Sequence, residues 1–288
     1  MSQPGDPSAT PAPAGVLRLA EDRPRDYQRG PVDWDAGTYH RVSEPQLEWA
    51  REVLDRLPLR GDETVLDAGC GTGRVARELL ARLPRGRVIA VDAAPAMVRR
   101  ARSELPARVD VRQIDLLELS LPERVDAVLS TATFHWIADH ERLFRRLAAV
   151  LVGAGRLVAQ CGGRGNIDRV RRTADEVGAR APFGTHLGGW AGPWNYAGPE
   201  ETERRLLGAG FAAARCWLAP RPVRPPDPPA FVRAVCLRAH LDRLPDELRE
   251  PFVAAVVREL GQPLELDYVR LNIDARMPGE TPDRRAAA

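Results

Sequence analysis

The sequence predicts one α/β domain, and three observations carry that expectation. Short apolar, β-branched runs alternate with amphipathic helical segments between residues 65 and 160. The first three runs each end in an acid: Asp67, Asp92 and Asp115. Between the first run and the first helical segment lies a glycine-rich turn, Gly69-Cys-Gly-Thr-Gly73. In an α/β sheet the three carboxylates would share the carboxyl edge, where ligands of such sheets bind.

At 288 residues and 44% apolar composition, the chain can bury a full core without a second independent domain. Its 42 basic and 40 acidic residues give a net charge of +2, which argues against a nucleic-acid footprint. Every basic residue is Arg, as coding bias toward Ala, Gly and Pro would produce. Cys70, Cys161, Cys216 and Cys236 are far apart in sequence, without metal-ligand spacing, so buried thiols in a reducing compartment are expected and no metal site. No apolar run approaches membrane-span length and residues 1–30 lack a signal-peptide core, so the expected location is the cytoplasm.

Residues 1–30 hold five prolines among small and charged residues and are expected to form a disordered arm. Order should begin near residue 32, followed by a helix over 44–57. Trp34 and Tyr39 precede that helix and are candidates for a lid that excludes water from a transfer reaction. The alternative is ordinary packing of the helix on the core edge.

The first strand ends at Asp67. The glycines of the following turn permit positive φ and close approach of the backbone to a ligand, while the next helix offers its free N–H groups. A diphosphate would be repelled by Asp67. A cationic amino acid carrying free hydroxyls would not, and S-adenosylmethionine has both features. The dinucleotide fingerprint would need a small residue at position 74, where this chain has Arg74. A plain turn without a ligand is the remaining reading.

A helix over 75–83 leads to a second strand over 86–92, whose Asp92, with Ala93 beside it, is placed to accept hydrogen bonds from ribose hydroxyls. Pro95 opens a helix through 101. The third strand, over 109–115, ends in Asp115, a candidate acceptor for an adenine amino group with the Leu116 backbone beside the ring; a helix cap is the alternative. The fourth strand spans 125–130, and the loop Thr131-Ala-Thr-Phe-His-Trp136 follows, with His135 and Trp136 facing the reacting group if the fold is right. This loop lacks both an Asn/Asp-Pro-Pro-aromatic signature and a cysteine nucleophile, which favours small-molecule acceptors. A helix over 139–151 and a fifth strand over 155–160 come next.

Beyond residue 166 the alternation loosens into a helix to about 180, a Gly/Trp/Pro-rich stretch over 183–199, a short helix and a strand over 210–218. A proline-rich connector spans 220–229. Helices over 229–244 and 246–260 precede a last strand over 264–275. A helical cap is therefore expected within about 166–262 of a domain covering 31–277, with a mobile tail over 278–288.

With these motifs in place, the chain resembles the class I S-adenosylmethionine-dependent methyltransferases, and more narrowly the trans-aconitate methyltransferase group. The narrower likeness rests on Trp34-Asp-Ala-Gly-Thr-Tyr39, the segment 65–73, Phe134-His-Trp-Ile-Ala-Asp-His140 and Leu157-Val-Ala-Gln160, and continues more weakly to Arg270-Leu-Asn-Ile-Asp-Ala-Arg276. The resemblance implies a Rossmann-like seven-stranded sheet with a helical insertion and an N-terminal lid. It implies that Asp67, Gly69, Gly71 and Gly73 bind the methionine part of S-adenosylmethionine, Asp92 its ribose, and Asp115 with Leu116 its adenine. The stretch 183–199 departs from that group's pattern.

Methyl transfer is an in-line displacement, so alignment and exclusion of water are what the protein must supply. A carboxylate acceptor needs no base, and a small carboxylic acid is the expected partner. A hydroxyl acceptor would need one, for which His135 is best placed in sequence; a core or capping histidine is the alternative. A binding protein that keeps the fold without catalysis is the reading from another class.

Overall fold

The computed structural model describes residues 44–261 and 263–279; the N-terminal arm, Trp34, Tyr39 and residues 280–288 lie outside the described residues. Seven strands form one sheet: β1 (Thr64–Ala68), β2 (Arg87–Asp92), β3 (Asp110–Gln113), β4 (Val125–Thr131), β5 (Leu151–Gly162), β6 (Ala213–Pro220) and β7 (Val269–Arg276). Their order is β3-β2-β1-β4-β5-β7-β6. The first five are parallel, and β7 runs antiparallel to both β5 and β6. The chain works outward from β1 to β3 and then returns to β4, so the order reverses between β1 and β4. A crevice opens at such a reversal, outside the carboxyl ends of the strands.

Both faces of the central strands are buried, which is why these strands appear in sequence as continuous apolar runs. Val65, Val88 and Leu129 share a cluster with Val53 and Leu54 of α1 (Glu44–Arg56) and Leu79 of α2 (Arg74–Ala81). Their neighbours Leu66, Ile89 and Val128 point the opposite way, as the two-residue strand period requires, and meet Phe144 and Leu147, which the chain carries beyond α3 (Pro95–Glu104) on α4 (His140–Val150). Phe134 and Phe144 meet edge-on there, with ring centroids 5.9 Å apart.

A third cluster belongs to the later helices. Val170 and Val177 of α5 (Asp168–Gly178) and Leu187 of α6 (Gly184–Leu187) gather with Phe231, Leu237, Phe252 and Val256. Between them in the chain, α7 (Pro199–Gly208) places Leu206 in the sheet's cluster with Phe144.

Four expectations are corrected. The third strand stops at Gln113, and Asp115 instead caps a 3₁₀ turn over Leu116–Glu118. The fifth strand begins at Leu151, four residues early, with a register shift opposite β4. The helix expected over 229–244 is three short pieces: α8 (Pro228–Phe231), a π turn over Val232–Cys236 and α9 (Arg238–Leu241). The Leu237 N–H reaches back five residues to Val232 O at 2.8 Å, and the wider turn keeps Val232, Cys236, Leu237 and Leu241 all inside one cluster. The helix that follows, α10 (Asp246–Leu260), is where it was expected. The last strand starts only at Val269, because the Tyr268 N–H folds back onto Leu266 O at 2.9 Å and leaves a single bridge, Val223 to Leu266.

Leu66 lies in the central strand with no exposure. Leu66→Ala is expected to lower the unfolding free energy by about 2–5 kcal/mol, through lost burial and an incompletely collapsed cavity. Urea denaturation followed by circular dichroism measures it; a loss under about 1 kcal/mol would show that the sheet's two faces are not both packed as described.

Candidate active site

The turn after β1 is held from beneath by β2. The N–H groups of Gly69 and Cys70 both donate to Val91 O at 2.9 Å, and the Gly73 N–H donates to Cys70 O at 2.9 Å. Gly69, Gly71 and Gly73 have φ of 86°, 54° and 87°, the left-handed region that glycine alone enters at no cost. Two of these glycines serve packing: a methyl group on Gly69 would lie 2.2 Å from Thr133 Oγ1, and one on Gly73 would lie 2.8 Å from Leu105 Cδ1. Gly71 differs, since a methyl group there would meet no atom within 4 Å. The turn is thus wedged at both ends and open in its middle.

Beneath this opening lies Asp67, fully buried, with neither carboxylate oxygen hydrogen-bonded among the described residues. Burial pushes its carboxyl up to about 7, and the charge of Asp92 adds to the shift. Asp92 is better provided for: Oδ2 accepts from the Gly71 N–H and Oδ1 from the Ala94 N–H, both at 2.9 Å. Burial raises Asp92 as well, against the pull of those donors. Two backbone N–H donors thus oppose the effect of burial at Asp92, and none does so at Asp67 among the described residues.

The remaining predicted groups fall along the same edge. The Ile114 N–H donates to Asp92 O at 3.0 Å, which brings Asp92 and Ala93 beside Asp115 and Leu116. The Asp115 side chain accepts from the Leu117 N–H at 2.9 Å, and Leu116 is buried. On the other side of the turn, Thr133 Oγ1 donates to Gly69 O at 3.2 Å and so ties the loop after β4 to the loop after β1.

His135 is buried in that second loop, and the Gly162 N–H donates to its Nδ1 at 3.2 Å. A nitrogen that accepts carries no proton, so the neutral ring bears its proton on Nε2 and can only donate there. Burial, the Arg270 charge and His140 together hold the imidazole well below its ordinary value. His135 therefore has no lone pair to offer as a base. Trp136 lies partly buried with its ring centroid 5.1 Å from His135 and 6.1 Å from Trp194.

The structure adds residues that the sequence did not single out. Tyr196 stacks on His135 at 5.8 Å and on Trp194 at 5.7 Å, while the Asn195 N–H donates to His135 O at 2.8 Å. All three belong to the Gly/Trp/Pro-rich stretch after α6. The clustering of aromatic and amide residues among glycines was the available signal.

Comparison with known proteins now bears on this arrangement. A methyltransferase domain family model matches residues 65–155. The trans-aconitate 2-methyltransferase of Variovorax paradoxus is 30% identical over 259 residues, covering 85% of this chain and 96% of that protein. That of Paracidovorax citrulli is 31% identical over 263 residues, with the same coverage of both chains. The chain belongs to the class I S-adenosylmethionine-dependent methyltransferases, in one family with these relatives. The crystal structure of the YcgJ protein from Bacillus subtilis shares the fold, with a TM-score of 0.56 at 20% identity over 81% of this chain and 99% of that one.

As a member of this family the protein is an enzyme that takes its methyl group from S-adenosylmethionine, and the residues present fit that donor. Asp67 is an unpartnered buried carboxylate that an α-ammonium group would satisfy. The space at Gly71 admits a ligand that a side chain would exclude. Among the described residues there is no cluster of metal-ligating side chains, and no helix is long and apolar enough to cross a membrane.

A carboxyl raised from 3.8 to about 7 by folding binds its proton more tightly in the folded state than in the unfolded one. Asp67 therefore contributes stability to the donor-free protein that is fully present below about pH 4, is lost as pH rises toward 7, and changes little above. Asp67→Asn should remove that slope and stabilise the donor-free protein at pH 8 by an amount on the order of a few kcal/mol. The same change should weaken donor binding. In the unaltered enzyme, affinity measured by calorimetry should rise by up to about tenfold per unit between pH 5.5 and 7, below the range where the donor's own amino group titrates near 8. An Asp67→Asn variant that is less stable at pH 8 and binds the donor as tightly as before would contradict this role.

Proposed function

We propose that this methyltransferase esterifies a small carboxylic acid, transferring methyl to a carboxylate oxygen. The observation that carries the reading is the tautomer of His135: the histidine nearest the turn spends its Nδ1 lone pair on Gly162 and presents N–H, not a base. A carboxylate requires no base, whereas a hydroxyl would. The relatives are named for methylation of trans-aconitate, which supports the same acceptor class.

S-adenosylmethionine, when bound, supplies an electrophilic sulfonium methyl group that a carboxylate oxygen can displace from sulfur with no proton to remove. Around it, Asp67 would take the ammonium group, the backbone of Gly69, Gly71 and Gly73 the methionine part, Asp92 the ribose hydroxyls, and Asp115 with Leu116 the adenine. Ala93 lines the ribose side. His135 would donate from Nε2 to an acceptor oxygen and align it. The rings of Trp136, Trp194 and Tyr196 would exclude water, so the fixed charges act in a low dielectric. The helices between 168 and 260 would serve as the cap over the acceptor, with Trp34 and Tyr39 as further lid residues.

The chemical step should therefore be independent of pH between about 6 and 8, the range around an ordinary imidazole value of 6.5. Single-turnover transfer by the unaltered enzyme and by His135→Ala should give two flat profiles, the variant slower through lost alignment. The product should be a methyl ester, cleaved by mild alkali and identified by mass spectrometry. An alkali-stable product, formed at a rate that climbs with pH in the unaltered enzyme and not in the variant, would establish a hydroxyl acceptor instead.

A further inference from the structure

His240 of α9 is 1% exposed, and neither of its ring nitrogens has a hydrogen-bond partner among the described residues. Three rings close around it: Trp190 edge-on at 4.9 Å between centroids, Trp194 at 5.7 Å and Phe252 stacked at 5.8 Å. These contacts satisfy the apolar parts of the imidazole and leave both nitrogens unpaired. A buried donor and acceptor without partners destabilise a fold, so their retention points to a group that the protein does not itself supply. A buried water holds its place through two to four polar partners, and the walls here are rings.

The same surroundings say what fits. Burial, and then the charge of Arg243, hold the imidazole down at about 3, so near neutral pH the ring carries one N–H and one lone pair. A hydroxyl group answers both. A carboxylate could use only the N–H, and an ammonium group only the lone pair. The walls are flat and stand at ring-packing distances, which suits a hydroxyl carried on a ring. Trp190 is the way in. It is half-buried, stands between Gly189 and Gly192 at φ of 76° and 78°, and has the Arg243 guanidinium over its ring at 4.8 Å. Turning the indole outward leaves a slot of ring size against His240. Trp194 joins that slot to the acceptor side, since its other neighbours are Tyr196 at 5.7 Å and Trp136 at 6.1 Å. We infer that His240 is a specificity-determining residue for the far end of the acceptor: it holds the hydroxyl of an aromatic ring that takes the place of Trp190. The preferred acceptors are then carboxylic acids that end in a phenol-type ring. Trans-aconitate carries no ring, and both Trp190 and Trp194 lie in the stretch 183–199, where the sequence departs from the group named for it.

The inference rests on the carboxylate reading above, and the experiment separates the two. Initial rates of labelled methyl transfer are measured for trans-aconitate and for a series of phenylalkanoic acids with and without a para hydroxyl group. The hydroxyl should raise kcat/KM of the unaltered enzyme roughly tenfold or more, mainly through KM, because the acid without it leaves the imidazole unpaired. His240→Phe keeps the ring and removes the nitrogens. It should abolish that preference, leave donor affinity unchanged by calorimetry, and melt at or above the temperature of the unaltered enzyme. Trp190→Ala should lower KM for the ring acids, since no side chain has then to be displaced. The inference is overturned, with the carboxylate reading intact, if trans-aconitate alone is esterified or if the hydroxyl makes no difference. It is equally overturned if His240→Phe keeps the preference or melts well below the unaltered enzyme, or if Trp190→Ala raises KM. A hydroxyl-bearing acid converted to an alkali-stable aryl ether would show that the carboxylate reading itself has failed.

Discussion

Asp67 places a carboxylate at the end of the central strand, fully buried and without a hydrogen-bond donor among the described residues. An uncompensated buried charge costs several kcal/mol, so in the donor-free protein the group retains a proton at a pH where carboxyls are ordinarily ionised. Burial raises the neighbouring Asp92 as well, but there two backbone N–H groups oppose the shift. The pair is therefore asymmetric: Asp92 has two hydrogen-bond donors, and Asp67 has none among the described residues. A donor that carries both an ammonium group and hydroxyls matches the two acids in turn.

The rest of the edge keeps this crevice open and joined to the acceptor side. Thr133 fills the space that a side chain at Gly69 would need, and its hydroxyl ties the β4 loop to the β1 loop. His135, two residues on, is locked to β5 through Gly162, and Gly162 is paired to Arg270 of β7. A line of contacts thus runs from Gly69 in the β1 turn through the β4 loop and β5 to the buried arginine. It crosses the sheet where β7 reverses direction. The later helices join this line through Tyr196 and Trp194, whose rings continue the stack begun at His135 toward His240 and Phe252.

What could be seen in the sequence was local. The strand, acid and glycine turn at 64–73 are contiguous, so their chemistry is constrained by chain spacing alone, and the seven-stranded sheet followed from the alternation and the resemblance. Asp115 is not the end of the third strand, because pairing with β2 stops at Gln113, where the alternation begun by Val109 and Val111 also lapses. The apolar alternation of residues 264–275 changes phase between Tyr268 and Val269, and there the Tyr268 N–H turns onto Leu266 while its ring packs on Trp49 and Phe231 from distant segments. His135 was identified, but its protonation was not, because the Gly162 N–H that decides the tautomer comes from another strand. Arg270 opens the segment 270–276, whose sequence alone assigns it no role. Its place beside His135 depends on β7 being inserted antiparallel next to β5, which no local pattern reports.

The most direct test of the account is the titration of Asp67 itself. Carbon-13 chemical shifts of the aspartate carboxyl groups, with Asp67 assigned by its absence from the Asp67→Asn spectrum, follow its ionisation from pH 4 to 9. In the donor-free protein the Asp67 signal should titrate near 7, and saturation with S-adenosylmethionine should leave it ionised throughout the neutral range. An Asp67 carboxyl that titrates near the ordinary value of about 4 in the free protein, or that does not respond to the donor, would contradict the claim that a buried, unpartnered charge organises this site.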